Sequence, residues 1–326
     1  MEDHFNERLS NPCPLCGSNT LRTVSNLDRK GTFLRTDICL CCGHVFSNPP
    51  PTTRELDLFY NKNYRKAYKG TSHPRKKHII RSGQRAIERY NQIKPFLRNN
   101  SKVLEIGSGS GEFLFLLKEK GHIVKGIEPN RGFAEFSKTN YNIDVLINKF
   151  ENFSTNNTKW DFIFLYHVLE HLLDPIKSLK HISKLLHQNA FLNLEVPNVE
   201  SKYHSPKRLF HFAHLHNFSL DGLIFTLSQA NLEAIEIKKM PNTGHINAIC
   251  KAKNLEAKKP TVIVANRINM HLLSYNSLTD ILSLRPYRRF FDNLKRPFRE
   301  YLKLILIGYS KTPSSLLKTL FKKNNL

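Results

Sequence analysis

Five of the six cysteines lie within the first 50 residues, in an arrangement that could bind a metal ion. Cys13 and Cys16 form one C-x-x-C-G unit, and Cys39 and Cys42 form a second one after 22 intervening residues. This spacing lets two thiolates from each tight turn reach one tetrahedral ion, and four thiolates leave no open coordination position. We predict a structural Zn²⁺ on these four cysteines, with Cys41 as a bystander. The alternative is a small apolar knot of reduced thiols.

A second candidate site is a glycine-rich turn between a predicted strand and a predicted helix. Glycine occupies every second position, at Gly107, Gly109 and Gly111. Glycines let the backbone approach a ligand closely, and a helix N-terminus favours the polar end of that ligand. Glu105 precedes the turn, where a carboxylate suits a cationic ammonium group. The dinucleotide fingerprint G-x-G-x-x-G would need glycine in place of Glu112, so the loop disfavours NAD binding.

Glu128 ends the next predicted strand, 21 residues after Gly107, where a carboxylate could accept both ribose hydroxyls of a nucleoside. The loop, this spacing and the strand order together resemble motif I of the class I S-adenosylmethionine (SAM) dependent methyltransferases. An α/β domain with a merely tight turn is the alternative. The resemblance implies that SAM is held by Glu105, Gly107, Ser108, Gly109, Gly111, Glu128, Pro129, Tyr166 and His167.

The resemblance extends over residues 10–255. The stretches 161–175, 194–198 and 214–219 are similar to the fourth strand, the fifth strand and the "HLH-FS" segment of small-molecule methyltransferases. The cysteine module is similar to the one on certain sugar-modifying methyltransferases. These similarities imply a small-molecule acceptor, such as a nucleotide-linked sugar or a lipid-linked glycan precursor. Leu215 stands where C-methylating sugar enzymes carry glutamate, which argues against C-methylation.

Histidines supply the candidates for a catalytic base, since a hydroxyl acceptor needs a base with a pKa near neutrality. We predict that His167, His214 or His216 has this role. His167, Glu170 and His171 also match the H-x-x-E-H pattern of helical metalloproteases. That pattern directly follows a strand, where parallel sheets place ligands, so we interpret Glu170 and His171 as residues that orient the turn.

From residue 101 onwards, short apolar runs alternate with amphipathic segments, which predicts βαβ units around a parallel sheet. The expected fold class is therefore α/β, a Rossmann-like seven-stranded methyltransferase fold with a small N-terminal zinc ribbon and a basic helical C-terminal tail. The predicted strands are 102–106, 122–127, 144–147, 160–166, 190–196, 233–239 and 246–251, and the predicted helices are 81–97, 112–120, 132–139, 175–186 and 220–230.

Composition shifts divide the chain into four predicted parts. These are a zinc-ribbon-like module at 1–50, a helical connector or lid at 51–100, the methyltransferase domain at 101–255 and a basic amphipathic tail at 256–326. In the tail, aromatic and aliphatic residues between 287 and 305 fall on one helical face, with arginines and lysines around it. We expect Pro297 to kink or split this helix.

The chain carries a net charge of +23, and residues 251–326 contribute 16 Lys/Arg against 4 Asp/Glu. Such a balance favours polyanions, so the tail is interpreted either as a helix on an anionic membrane or as a helix packed on the protein with a solvated basic face. No segment reads as a signal peptide or a membrane span, so we expect a cytoplasmic protein, including a peripheral position at the inner membrane surface. The oligomeric state is not predicted.

Two other functional classes stay open. A nucleic-acid methyltransferase would use the cysteine module and the tail to grip phosphates. The N/D-P-P-Y/F motif of amino-methylating nucleic-acid enzymes is absent after the fourth strand, which makes a nucleic-acid partner the weaker interpretation. A non-catalytic scaffold that kept the fold is the other class, and the intact glycine loop argues against it.

Overall fold

The structure is a computed structural model of the 326-residue chain, and it describes residues 10–56, 58, 74–154, 158–254, 256–308 and 311–326. Part of the predicted connector at 51–100 lies outside the described residues. The strands are β1 Leu21–Leu27, β2 Phe33–Cys39, β3 Val45–Ser47, β4 Lys102–Ile106, β5 Ile123–Ile127, β6 Asp144–Leu146, β7 Trp160–Tyr166, β8 Leu186–Val196, β9 His216–Asn217, β10 Leu232–Lys239 and β11 Ile246–Ala252.

After residue 75, the α-helices of the described residues are α1 Lys76–Ile93, α2 Glu112–Glu119, α3 Arg131–Tyr141, α4 Pro175–Leu185, α5 Leu220–Gln229, α6 Val262–Ser274, α7 Ser277–Ile281, α8 Arg285–Ile307 and α9 Pro313–Lys322. Short 3₁₀ turns lie at Lys94–Phe96, Phe150–Asn152, Leu169–His171 and Pro206–Arg208. No helix in this described part combines the length and the apolarity needed to cross a membrane.

A seven-stranded sheet has the order β10-β11-β8-β7-β4-β5-β6. Strand β4 pairs in parallel with both β5 and β7, and β10 pairs antiparallel with β11. The central strand β7 reads WDFIFLY and is buried along almost its whole length, as expected for a strand covered on both faces. The predicted α/β fold with a seven-stranded sheet is confirmed, because alternating strands and amphipathic helices can bury their apolar surfaces only in such layers.

A separate four-stranded sheet contains the N-terminal cysteine segment, with the order β1-β2-β3-β9. Its first three strands form an antiparallel meander, and β9 joins it through the pairs Val45–Asn217 and Phe46–His216. The predicted "HLH-FS" segment thus supplies one strand to the sheet of the cysteine module.

Chain contacts divide the protein into two compact units. Unit 1 holds residues 1–61, 166–184 and 194–287, and unit 2 holds residues 62–165, 185–193 and 288–326. Both units are discontinuous in sequence. The four consecutive parts predicted from composition stay a prediction about domain organisation.

The predicted elements match the structure within a few residues, with three exceptions. Helix α1 spans Lys76–Ile93 rather than 81–97. Strand β8 begins at Leu186 rather than at Ala190. The tail helix α8 runs continuously through Pro297, so it is not split there, and the alternative of a kink at Pro297 stays a prediction. A proline removes one backbone hydrogen bond, and a helix of 23 residues keeps complete turns on both sides of it.

Candidate active site and metal centre

The four predicted thiol ligands converge in unit 1. Cys13 Sγ lies 3.6 Å from Cys42 Sγ, and Cys16 Sγ lies 3.6 Å from Cys39 Sγ. All four sulfur atoms lie within 4.8 Å of one another. A tetrahedral Zn²⁺ with Zn–S bonds of about 2.3 Å requires sulfur atoms about 3.8 Å apart. The donor set and its spacing therefore fit one zinc ion.

Each cysteine pair sits on the same kind of turn. The backbone N–H of Gly17 donates to Cys13 O, and that of Gly43 donates to Cys39 O, both at 2.8 Å. The two glycines have φ of +73° and +78°, a region that favours glycine. Cys41 lies outside this arrangement and accepts a hydrogen bond from the Ser18 hydroxyl at 3.1 Å.

The packed thiols affect one another's ionisation. Hydrogen bonds with Cys13 and Cys42 lower the pKa of Cys39, and hydrogen bonds with Cys13 and Cys39 raise the pKa of Cys42. A thiolate is the form that binds metal, and a bound cation would favour that form.

The glycine loop in unit 2 turns directly from β4 into α2. Gly107 N–H donates to Ile127 O at 2.8 Å, and Gly111 N–H donates to Ser108 O at 3.0 Å. Gly107, Gly109 and Gly111 all have positive φ, between +53° and +85°. A Cβ on Gly111 would lie 2.0 Å from Ser137 Oγ, so this position needs glycine for space as well as for conformation.

Glu128, at the end of β5, holds the loop in place. Its Oε2 accepts the Gly109 N–H and its Oε1 accepts the Asn130 N–H, both at 2.8 Å. Pro129 is the residue between Glu128 and Asn130. Burial raises the pKa of Glu128, although the two backbone donors favour its charged form.

Three polar atoms beside the loop are buried without a hydrogen-bond partner among the described residues: Glu105 Oε2, Ser108 Oγ and Ser137 Oγ. Burial raises the pKa of Glu105 to about 8, while the charge of Arg89 opposes that rise. Burial also raises the pKa of Glu112 to about 7. Buried polar groups are normally paired, so this loop fits a ligand that brings polar or cationic groups to it.

His167 follows β7 and lies in unit 1 between two carboxylates. Its Nε2 lies 3.0 Å from Glu195 Oε1, and its Nδ1 lies 3.5 Å from Glu170 Oε1. Burial would lower the pKa of His167, but both carboxylates raise it, to about 9. Its φ of +58° is uncommon for a residue with a side chain, and such conformations gather at functional sites. His167 is therefore a cation at neutral pH.

His245 completes this group, with its Nδ1 3.3 Å from Glu195 Oε1. Its ring meets the ring of His167 edge to face, at 4.7 Å between centroids. One carboxylate thus orients two imidazoles. Two imidazole nitrogens and a carboxylate oxygen within 4.8 Å of one another could also hold a divalent cation.

His171 and His214 belong to a neighbouring group in unit 1. His171 Nδ1 lies 2.8 Å from Ala213 O, and the two rings meet edge to face. Because Leu169–His171 is a 3₁₀ turn, His167 and His171 do not share an α-helical face. The helical metalloprotease pattern is therefore absent. Burial and the charge of His171 lower the pKa of His214 well below its usual value.

His216 lies on β9 and is buried within unit 1. Its Nδ1 lies 3.1 Å from His44 Nε2, and its Nε2 lies 3.4 Å from Leu173 O. Burial lowers the pKa of His216 to about 4. Both ring nitrogens thus have protein partners, an arrangement typical of a structural histidine.

An open cleft of about 160 Å³ in unit 1 brings His167, His214 and His245 together. Arg29 and Arg208 also line it, and burial together with the charge of Arg208 lowers the pKa of Arg29. A cleft with two guanidinium groups and several imidazoles suits an anionic ligand.

The sequence pointed to His167, His214, Tyr166 and the loop residues, and the structure places Tyr166 as the buried last residue of β7. The sequence analysis did not identify four further residues of this site: Glu195, His245, Arg29 and Arg208. Glu195 had a weak signal, because it stands at the end of the fifth strand. His245 follows a hairpin turn and Arg29 lies between β1 and β2, so no local pattern marked either residue.

Comparison with known proteins agrees with this geometry. Residues 77–237, just under half of the chain, match a family model described as a methyltransferase domain. A tRNA U34 carboxymethyltransferase of Campylobacter fetus is 29% identical over 119 residues, covering 34% of this chain and 42% of that protein. An uncharacterized methyltransferase of Oceanobacillus iheyensis is 35% identical over 97 residues, covering 29% of this chain and 46% of that protein.

The chain thus spans less than half the length of these curated relatives. Among solved structures, the Burkholderia thailandensis 1,6-didemethyltoxoflavin-N1-methyltransferase has a TM-score of 0.48 and 13% identity. That match covers 64% of this chain and 96% of the other.

Proposed function

We propose that the protein transfers a methyl group from SAM to a small-molecule acceptor. One observation carries this proposal: beside the positive-φ glycine loop after β4, Glu105 Oε2 and Ser108 Oγ are buried with no hydrogen-bond partner in the part of the chain that the structure describes. When bound, SAM supplies an electrophilic methyl group. Glu105 would face the ammonium group of its methionine part, and Glu128 would accept hydrogen bonds from its ribose while it continues to hold the loop.

The acceptor would occupy the cleft of unit 1. Arg29 and Arg208 favour an acceptor that carries phosphate, such as a nucleotide-linked sugar or a lipid-linked glycan precursor. The two guanidinium groups of Arg29 and Arg208 repel each other in this partly buried cleft, and an anion bound between them would offset that repulsion.

His167 and His214 would have different roles in the reaction. His167 is already protonated at neutral pH, so it would hold an anionic group of the acceptor rather than accept a proton. His214 lines the same cleft and is unprotonated, so it would accept the proton, although burial and the charge of His171 hold its pKa well below the near-neutral value of an efficient base. The nearby Glu170 carboxylate, which is 1% exposed, would stabilise the imidazolium formed on His214.

The four-cysteine cluster would bind a structural zinc ion. Its thiols pack with Leu15, Phe46 and Phe225 in an apolar cluster, and its four donors complete a tetrahedron. An open coordination position for catalysis is not expected there.

A nucleic-acid acceptor is the second candidate, because one curated relative is named as a tRNA U34 carboxymethyltransferase. The two candidates differ in their dependence on salt. Binding through many phosphates weakens steeply as salt rises, whereas a single phosphorylated small molecule responds weakly.

Calorimetry of the full, zinc-loaded chain with SAM tests the cofactor assignment. Glu128→Ala should weaken binding by about 1–3 kcal/mol, because it removes a charged hydrogen-bond acceptor. Glu151→Ala, at an exposed carboxylate, is the matched control and should bind SAM like the native chain. A folded protein that takes up no SAM would refute the proposal.

The transfer step is followed with labelled SAM and two acceptor pools, nucleotide sugars and total tRNA. We expect label in the nucleotide-sugar pool, and His214→Gln should slow the transfer by about 10²–10⁴-fold without changing SAM affinity, since it removes only the base. Label in tRNA, lost between 50 and 200 mM salt, would favour the second candidate. SAM binding with no transfer to either pool would favour a scaffold.

A further inference from the structure

Helix α8 exposes the face that a packed helix would bury. Its apolar side chains fall within an arc of about 120° when drawn at about 100° per residue. They are Tyr287, Phe290, Phe291, Leu294, Phe298, Tyr301, Leu302 and Ile305, and their exposed fractions run from 45% to 69%. Five of the eight side chains are aromatic. An apolar stripe of this size on a surface marks an interaction site.

The opposite side of α8 holds the helix to unit 2. Glu300 forms an ion pair with Arg81 of α1, and Ile307 is buried. The Lys323 ammonium at the end of α9 donates to Leu306 O at 2.7 Å. The protein thus fixes α8 by the side opposite the stripe and leaves the apolar stripe towards solvent.

Basic residues border the stripe. Residues 285–307 contain seven Lys/Arg and two Asp/Glu. Lys295 and Arg299 are exposed and lie next to the stripe on the helical projection, at about 20° and about 60° from its edge. Long basic side chains in this position can reach anionic headgroups while the apolar face enters the acyl boundary.

We propose that α8 docks on an anionic lipid surface, with its axis in the plane of the membrane and its apolar stripe in the headgroup–acyl boundary. The charge decides between possible occupants of the stripe. A second copy of this chain would bring two basic helices and two net charges of +23 together, whereas anionic lipid complements both. The helix is too polar to cross the bilayer, so it lies on the surface. This proposal does not depend on the methyl-transfer reaction.

Co-sedimentation of the full chain with vesicles tests the proposal. The chain should bind phosphatidylcholine vesicles that contain phosphatidylglycerol and should bind pure phosphatidylcholine vesicles at least about tenfold less. The double variant Phe291→Ser, Phe298→Ser should lose at least about tenfold in vesicle affinity, because it removes apolar area from the stripe. The control Leu27→Ser, Ile123→Ser removes two other exposed apolar side chains and should bind like the native chain.

The charge contribution is tested with a matched pair. Lys295→Gln, Arg299→Gln should lower the affinity for anionic vesicles by about fivefold per charge, and 1 M salt should reduce binding of the native chain. Lys258→Gln, Lys259→Gln removes two exposed charges outside the helix and should leave binding nearly unchanged.

Tryptophan fluorescence gives an independent measurement, because insertion of the stripe into lipid produces a new signal rather than a loss of binding. Trp160 is the single tryptophan and is 5% exposed, so it contributes a constant background. In a Phe298→Trp variant, the added emission should shift to the blue on anionic vesicles. No shift and no sedimentation would overturn the proposal. A dimer in light scattering that Phe291→Ser, Phe298→Ser abolishes would assign the stripe to a second copy, and retention of RNA in place of vesicles would also overturn it.

Discussion

At the scale of single residues, burial decides the ionisation of the carboxyl groups around the glycine loop. Glu105, Glu112 and Glu128 are each no more than 5% exposed, and burial raises the pKa of all three. A raised carboxyl pKa means that the folded protein holds protons that the unfolded chain releases. The stabilising contribution is then complete below the unfolded pKa and is lost as the pH rises through the folded one.

Glu105 should therefore make the protein without SAM less stable at alkaline pH. Its pKa is about 8 in the folded chain against 4.5 for an ordinary glutamate, so the loss should span pH 4.5–8. Urea unfolding at pH 5 and pH 8 should show that Glu105→Gln loses about 2–4 kcal/mol less than the native chain over this interval. Glu151→Gln, at an exposed carboxylate, is the control. Parallel pH profiles for the native chain and Glu105→Gln would contradict this assignment.

At the scale of elements, the entry into α2 depends on a glycine in a left-handed conformation. Gly111 is the N-cap of α2 with φ +85°, and its α-carbon faces Ser137 of α3. Gly121, just after the same helix, has the same φ but open space around it. A side chain added at Gly121 would therefore meet only backbone strain, whereas one added at Gly111 would meet both backbone strain and a steric clash.

Gly111→Ala should destabilise the protein more than Gly121→Ala. Both substitutions place an alanine in the left-handed conformation, which destabilises the folded state by about 1–2 kcal/mol. Gly111→Ala also forces Ser137 to move, which adds about 1–3 kcal/mol. Urea denaturation of both variants measures the difference. The double change Gly111→Ala, Ser137→Gly should recover part of it. Equal losses for the two single variants would show that contact with Ser137 is unimportant.

At the scale of the whole molecule, the cysteine cluster joins distant parts of the chain. Unit 1 is assembled from three separate stretches, 1–61, 166–184 and 194–287. The apolar cluster around the four thiols draws on each of them, since Ile176 and Phe225 pack there with residues of the N-terminal segment. A metal ion at this point would stabilise contacts between segments that lie far apart in sequence.

Loss of the metal should therefore destabilise the protein well beyond its N-terminal 50 residues. Metal analysis should find about one Zn²⁺ per chain in the native protein and in Cys41→Ser, and none in Cys39→Ser. Cys39→Ser, or chelation of the native protein, should lower the melting temperature, because the folded state loses its bound ion. A zinc-free chelated protein with an unchanged melting temperature, or a Cys41→Ser variant without zinc, would contradict the proposed role of the four cysteines.

The sequence by itself determined what depends on neighbouring residues. The alternation of strands and helices predicted the seven-stranded α/β fold, because the spacing of apolar residues distinguishes a strand from a helix within about ten residues. The paired C-x-x-C-G turns and the G-x-G-x-G loop were visible for the same reason: a turn conformation and its glycines are local. The placement of Glu128 also followed, because parallel strands of one sheet end at the same edge.

Only the tertiary structure decided which distant residues meet. Glu195 and His245 reach His167 from 28 and 78 positions away, and the carboxylates of Glu195 and Glu170 raise the pKa of His167 to about 9. His216, a candidate base by sequence, is buried against His44. Burial and long-range charge set the ionisation of a histidine, and neither is encoded in the residues beside it. For the same reason, the sequence showed that α8 is amphipathic, whereas its contacts showed that the apolar face is the exposed one.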